Sequence, residues 1–454
     1  MAVDDTQASA EESPAASQAA PEVALRPWSA FAYYDFTMLW LGGTAASTAM
    51  TLRLLISAQW IYDETGSAVT LGLLGVIQLS QIPVVLFGGI LSDLVDRKKL
   101  MAMTQFVSFV SLVALSLAAF SGSLAVWHIF LVQGITGMVN VLGGSARPAM
   151  IARVVPRPLL SHAVSTNTAT FQVASIVAPL AFVGVYELFG VDWAFALAMV
   201  VSAVSVIAPY LIRVSGKPTD STVKVTFTST WTSLIEGVKF VRRHRILPGL
   251  YLLDIGVTVF SFYRFLFPIF SDQLYGLGAA GTGILTSVNG IGGIAGSALV
   301  LYTAKMPRKG VLVLFATALY ALLLIAFGSI QIFWVGIIIV TCLGATDAVG
   351  MVMRQTVVQL TTPDRLLGRA SSAHSFAAMS ANHVGQYEVA QMSAIVGAGP
   401  TMVIGGLISI LVVGLIWKFL PGVSNYRYTP DAERDAAEVD VQVVQNIRGG
   451  ISRK

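Results

Sequence analysis

The chain has little charge. Lys, Arg, Asp and Glu make up 11% of its 454 residues, where a soluble domain carries about a quarter. With 55% hydrophobic residues and a mean hydropathy of +0.74, this shortage excludes a water-soluble globular protein and indicates an integral membrane protein. A single cysteine, Cys342, excludes an intramolecular disulfide framework. The sequence has no nucleotide-binding loop, no metal-ligand cluster and no nucleophile triad, so neither nucleotide-driven pumping nor catalysis is expected, and no cofactor or metal. Residues 1–35 lack the basic stretch and apolar core of a cleaved signal peptide and read as a disordered cytosolic tail rich in Ala, Ser, Pro and acids. Residues 421–454 read as a second cytosolic tail.

What is present is a series of apolar stretches, each near the ~20 residues that cross a bilayer. They fall near 36–62, 70–92, 100–121, 125–146, 163–186 and 192–213, then near 247–271, 281–304, 310–328, 331–353, 369–394 and 400–420. The expectation is an all-α membrane protein of twelve transmembrane helices. Loops after odd-numbered spans, such as "YDETGSAVT" and "SGSLAVWH", hold no Lys or Arg, whereas the even ones hold "DRKKL", "AKMPRKG" and the long connector. The positive-inside rule then predicts a multi-pass protein of the cytoplasmic membrane with both termini cytosolic. The formal net charge of +4 is on this reading a topology signal, and no nucleic-acid partner is expected. Trp60, Trp127, Trp193 and Trp334 fall at the outer boundaries, where an aromatic belt belongs.

The connector, residues 214–246, separates a six-helix bundle at 36–213 from another at 247–420. Within it, "TSLIEGVKFVRRHRIL" reads as an amphipathic helix with Leu234, Val238 and Val241 on one face, expected to lie on the inner headgroups. The two bundles repeat one another. At an offset of 207, "RPAMIARVVPRPLLSHAVSTN" (147–167) falls on "RQTVVQLTTPDRLLGRASSAH" (354–374), matching Arg147 with Arg354 and placing Asn140 on Asp347. At an offset of 211, Gly72 falls on Gly283 and Arg53 on Arg264. Two pseudo-symmetric halves in parallel repeat are an architecture of secondary transporters, with a site between the halves near the midplane.

The stretch "GGILSDLVDRKKL" (88–100) resembles the signature of the major facilitator superfamily. Its Asp93, Asp96, Arg97, Lys98 and Lys99 are similar to the branch that contains the enterobactin exporter and the macrolide-efflux drug:proton antiporters. "WIYDETGSAVTLGLLG", "EGVKFVRRHRIL" and "TPDRLLGRASS" support that branch. There are departures: Leu94 stands where the signature has a basic residue, and "FLVQG" puts Phe130 at the arginine position of a span-four antiporter pattern. The resemblance implies the major facilitator fold, export, and an approach of Asp93 to the start of span eleven, with Arg97 holding it as a gating latch. The same cluster is also read as a purely topological basic loop.

Arg53 and Arg264 are the two basic residues set deep within spans, in the first helix of each half. An arginine near the centre of a membrane helix costs about 2.5–3.5 kcal/mol on insertion scales, so each is expected to have a use. Together they could hold a phosphate, carboxylate or sulfonate. Alternatively, each snorkels outward or neutralises an internal acid such as Glu388. Span eleven is polar, and its Asn382, His383 and Gln386 share one face by helical spacing, expected to line the cavity as substrate-binding residues. Candidate proton carriers are Asp347, Glu388 and Asp254, with an Asp347–Arg354 ion pair as the plainer use of Asp347.

These features predict a monomeric secondary transporter that exports a small organic molecule against a proton gradient. A rival reading is an organic-anion exchanger or uptake carrier built on the Arg53/Arg264 pair, using a counter-ion. A reading of another class is a non-transporting membrane sensor or assembly subunit.

Overall fold

The computed structural model describes residues 28–84, 95–144, 146–217, 227–303 and 306–427. Asp93, the first half of the expected latch, lies outside the described residues. Among the described residues the structure is helical, and nine helical stretches are long and apolar enough to cross a membrane. One of these, Arg157–Leu211, contains spans five and six, divided at Gly190, whose φ of 87° no L side chain adopts easily. Span two appears as the shorter apolar Ala68–Val84, and the polar span eleven as the 33-residue helix Asp364–Val396. Each expected span thus carries helix.

Local chemistry ends and starts these helices. Span one (Tyr34–Thr65) stops at Gly66, which is left-handed at φ 58° and returns its N–H to the Tyr62 carbonyl. Ser67 then caps span two by accepting from the Thr70 amide, and Asp96 caps span three (Arg97–Phe120) by accepting from the Lys98 and Lys99 amides. His244 does similar work before span seven, its Nδ1 accepting from the amides of Ile246 and Leu247 at 3.2 and 3.3 Å. Burial pushes this imidazole down in pKa, which keeps it a neutral acceptor.

Span seven, read from the sequence only as an apolar stretch near 247–271, is not one continuous helix. It is helical over Leu247–Ser261, turns through Phe262 and Tyr263 into a short tight turn at Arg264–Leu266, and resumes as Phe267–Tyr275. Pro268 accounts for the break, because its ring would clash with the carbonyl of residue 264 in a continuous helix. Backbone groups freed at membrane depth need partners, and the Tyr320 hydroxyl donates to the Ser261 carbonyl at 2.9 Å.

The apolar core has three parts. One cluster crosses both halves and takes in Trp60, Leu71, Leu115, Phe182, Phe267, Phe270 and Val389, towards the end where the loops lack basic residues. At the opposite, basic end each half has its own cluster: Phe36, Leu100, Met150 and Ile212 in the first, Leu247, Val313, Val357 and Ile416 in the second. Polar bridges between the halves also occur near the basic-poor end. Tyr62 donates to Asp272 at 3.1 Å, Thr282 to Gln59 at 2.6 Å, and the Ala280 amide to Glu187 at 2.7 Å.

The repeat glycines mark where the halves approach. A Cβ on Gly72 of span two would sit 2.4 Å from Ala390 Cβ in span eleven. One on Gly283 of span eight would sit 2.8 Å from the Pro179 carbonyl oxygen in span five. Small residues let membrane helices pack at this distance.

One expectation changes. Trp127, Trp193 and Trp334 are exposed, as belt residues should be, but Trp60 is buried in the shared core. The connector helix (Phe227–Arg243) packs on span eleven, with Gly237 against the Arg369 carbonyl and Glu236 paired with Arg369. Val238 stays half-exposed while Val241 is buried.

Candidate functional site

The two deep arginines each turn to a helix of their own half. Arg53 is 3% exposed and donates to Gln133 Oε1 of span four. Among the described residues no ion pair includes Arg53, so a neutral amide is the partner that holds this charge. Arg264 leaves the broken segment of span seven and pairs with Asp347 of span ten, both open to a cavity. The helix break frees Arg264 to point there, whereas Arg53 sits in continuous helix. Glu388 is paired with neither, and its Oε2 is buried without a hydrogen bond.

Gln133→Leu should therefore leave the Arg53 guanidinium without its acceptor, at a cost of about 1.5–3 kcal/mol. Thermal unfolding in detergent checks this, and Arg53→Met combined with Gln133→Leu should recover most of the loss.

Two cavities lie towards the basic end, one in each half, of about 480 Å³ in the first and 340 Å³ in the second. Equivalent positions line them. Gly43, Ser47 and Met50 of span one correspond, at the offset of 211, to Asp254, Thr258 and Ser261 of span seven. Asn140, Arg147 and Asn167 correspond, at 207, to Asp347, Arg354 and His374.

In the second cavity the charges are internally matched. Asp254 Oδ1 accepts from Arg354 Nη2 at 2.7 Å and its Oδ2 meets His374 Nε2 at 3.1 Å. The His374 ring lies against Tyr251, with centroids 4.6 Å apart. Arg354 therefore pairs with Asp254, and Asp347 takes Arg264. The spacing of seven that puts Asp347 and Arg354 on one face of span ten does not pair them, because each meets a closer partner on span seven.

In the first cavity Arg147 Nη2 donates to Asn167 Oδ1 at 2.7 Å and its Nε is buried without an acceptor. The guanidinium lies over Gly43, where an added Cβ would be 1.7 Å from Arg147 Cζ.

The polar face of span eleven divides. Asn382 lines the second cavity, but Gln386 turns towards Gly75 of span two, the His383 carbonyl oxygen lies against the same glycine, and both residues are buried. Both ring nitrogens of His383 and Oε1 of Gln386 lack hydrogen-bond partners. Arg97 opens span three directly after the Asp96 cap.

His374, Gln133 and Arg147 are site residues that the sequence reading does not include. The repeat held a signal for two of them, since its matched segments begin at Arg147 and Arg354 and end at Asn167 and His374.

Comparison with known proteins agrees with this architecture. The family description Major Facilitator Superfamily matches residues 39–386. The enterobactin exporter EntS of Citrobacter koseri is 24% identical over 399 residues, covering 86% of this chain and 90% of that one. EntS of Escherichia coli O9:H4 is 24% identical over 348 residues, covering 76% and 81%. Among solved structures, a POT family transporter in complex with a thioalcohol-conjugated peptide superposes with a TM-score of 0.68 at 12% identity, covering 86% of this chain and 96% of that one. A bacterial homologue of the human lysosomal transporter Spinster, inward-facing and unoccupied, gives 0.64 at 14%, covering 87% and 98%. A D-xylose–proton symporter gives 0.62 at 16%, covering 86% and 98%. The chain belongs to the major facilitator superfamily.

Proposed function

We propose that this secondary transporter exports a small organic molecule by alternating access, driven by protons. The observation that carries the reading is the division of the core. One apolar cluster joins the halves at the basic-poor end, while separate clusters hold each half at the basic end. Two rigid bodies closed at one end and independent at the other can rock about a site between them. With the basic end in the cytosol, as the positive-inside rule places it, this is the conformation that loads substrate from the cytosol. Export agrees with the function printed for the EntS relatives.

Proton coupling is assigned to Asp254, held between Arg354 and His374 on spans seven, ten and eleven. A proton on Asp254 removes the charge that holds Arg354, so the three helices lose a shared anchor. The proton's presence is in this way linked to the shape of the second half. Asp347 is a second carboxylate open to the same cavity, bound to Arg264. Asp93 and Arg97 remain the proposed latch.

The test uses protein reconstituted in proteoliposomes with a fluorescent substrate panel. Efflux should rise when an inward proton gradient is imposed and fall when it is collapsed. Flux that ignores the gradient and requires a counter-anion would favour exchange instead. No flux of any compound, with a partner protein recovered on purification, would favour a sensor or assembly subunit.

A further inference from the structure

We propose that the cavity of the first half binds an organic anion through Arg147, which among the described residues has no carboxylate partner of the kind that Asp254 gives Arg354 in the second half. The argument is a position-by-position comparison. The second half sets two arginines, Arg264 and Arg354, against two carboxylates, Asp347 and Asp254. The first half keeps both arginines, as Arg53 and Arg147, and replaces both carboxylates, with Asn140 and Gly43. Among the described residues no ion pair includes either arginine of the first half.

The geometry follows the arithmetic. In the second half the Asp254 carboxylate rises from span seven to meet Arg354 at 2.7 Å. In the first half Gly43 presents no side chain, and the Arg147 guanidinium lies directly over that glycine. Its Nη2 is held by Asn167 at 2.7 Å and its Nε is buried without a hydrogen bond, as is the Nε of Arg354, so what sets Arg147 apart is the missing carboxylate. A planar guanidinium so placed matches a carboxylate, which accepts two parallel N–H bonds.

The surroundings set the class of anion. The cavity is about 480 Å³, within the range of small-molecule sites, and Met38, Met50 and Ile151 supply apolar wall beside Arg147 and Asn140. A small hydrated inorganic ion would leave most of this wall uncovered. An aromatic or aliphatic carboxylate covers it and neutralises Arg147 together.

The inference deepens the transporter reading by naming a substrate class and rests on that reading for its use, but it is tested by binding alone. The full chain is purified in a neutral detergent, and thermal unfolding is followed with benzoate and, as the uncharged control, benzamide. Benzoate should raise the Tm of the wild type in a saturable way and benzamide should not. Arg147→Gln should weaken the benzoate response at least about tenfold, and Arg147→Lys should retain part of it. Gly43→Asp should abolish the response, because its side chain displaces the Arg147 guanidinium from over the glycine and its carboxylate then pairs with it. No response of the wild type to benzoate overturns the proposal, as does an undiminished response in Arg147→Gln. Stabilisation by phosphatidylglycerol through Arg147, without any by benzoate, overturns it in favour of a lipid headgroup. Arg147-dependent binding without proton-driven flux would defeat the proposed export and leave the site standing. Proton-driven flux without such binding would do the reverse.

Discussion

Asp254→Asn should abolish the response of efflux to a pH gradient and lower stability by about 3–5 kcal/mol. The stability cost arises because Arg354, with a side chain only 12% exposed, would keep its charge and lose its carboxylate. Removing both charges is different. Asp254→Leu with Arg354→Met replaces an ion pair by apolar packing, which is often neutral or better for stability. The double variant should therefore melt near the wild-type temperature and still ignore the gradient. Thermal unfolding and proteoliposome flux, measured on the same preparations, separate the structural role from the coupling role. If Asp254→Asn still follows the gradient, Asp254 does not carry the proton, and Asp347 becomes the carboxylate to test.

Gly283→Leu should open the end that is now closed. The new side chain would have to fit where even a Cβ lies 2.1 Å from Val183 Cγ2 and 2.8 Å from the Pro179 carbonyl oxygen. The second contact is backbone, so relief requires spans five and eight to separate. Overpacking of this kind costs about 1–3 kcal/mol, enough to change the ratio of two states roughly five- to 150-fold. Gln59 is fully buried beneath the same closure and hydrogen-bonded to Thr282. A cysteine placed there in a Cys342→Ser background should react with a membrane-impermeant maleimide at least about fivefold faster when Gly283→Leu is present. Gly72→Leu, at the repeat-related contact with Ala390, should act in the same direction. Equal labelling rates in all three backgrounds would mean that these glycines do not govern closure.

Much of the architecture was legible because membrane folding follows strong and local rules. Runs of apolar residues, basic-poor loops and the repeat offsets of 207 and 211 are properties of the chain read in order. They locate the spans and match the halves, and the offset of 211 pairs Gly72 with Gly283. The failures have physical causes. Trp60 was assigned to the belt by its distance along span one, but the helix turns it into the shared core. The break at Pro268 is not visible in the apolar stretch of span seven, since apolarity alone does not report a broken helix.

The arginines show the division most clearly. The sequence by itself determined that Arg53 and Arg264 are charges deep within matched spans, and that Asn140 stands where Asp347 stands in the other half. It could not assign partners, because an ion pair depends on which helices are neighbours and on which way each side chain leaves its helix. Tertiary structure sent Arg264 to Asp347, Arg354 to Asp254 and Arg53 to Gln133. It also placed Arg147 over a glycine and beside a cavity, in no ion pair among the described residues. Hydropathy is additive along a chain and survives in one dimension, whereas charge compensation is a matter of a few ångströms between segments far apart in sequence.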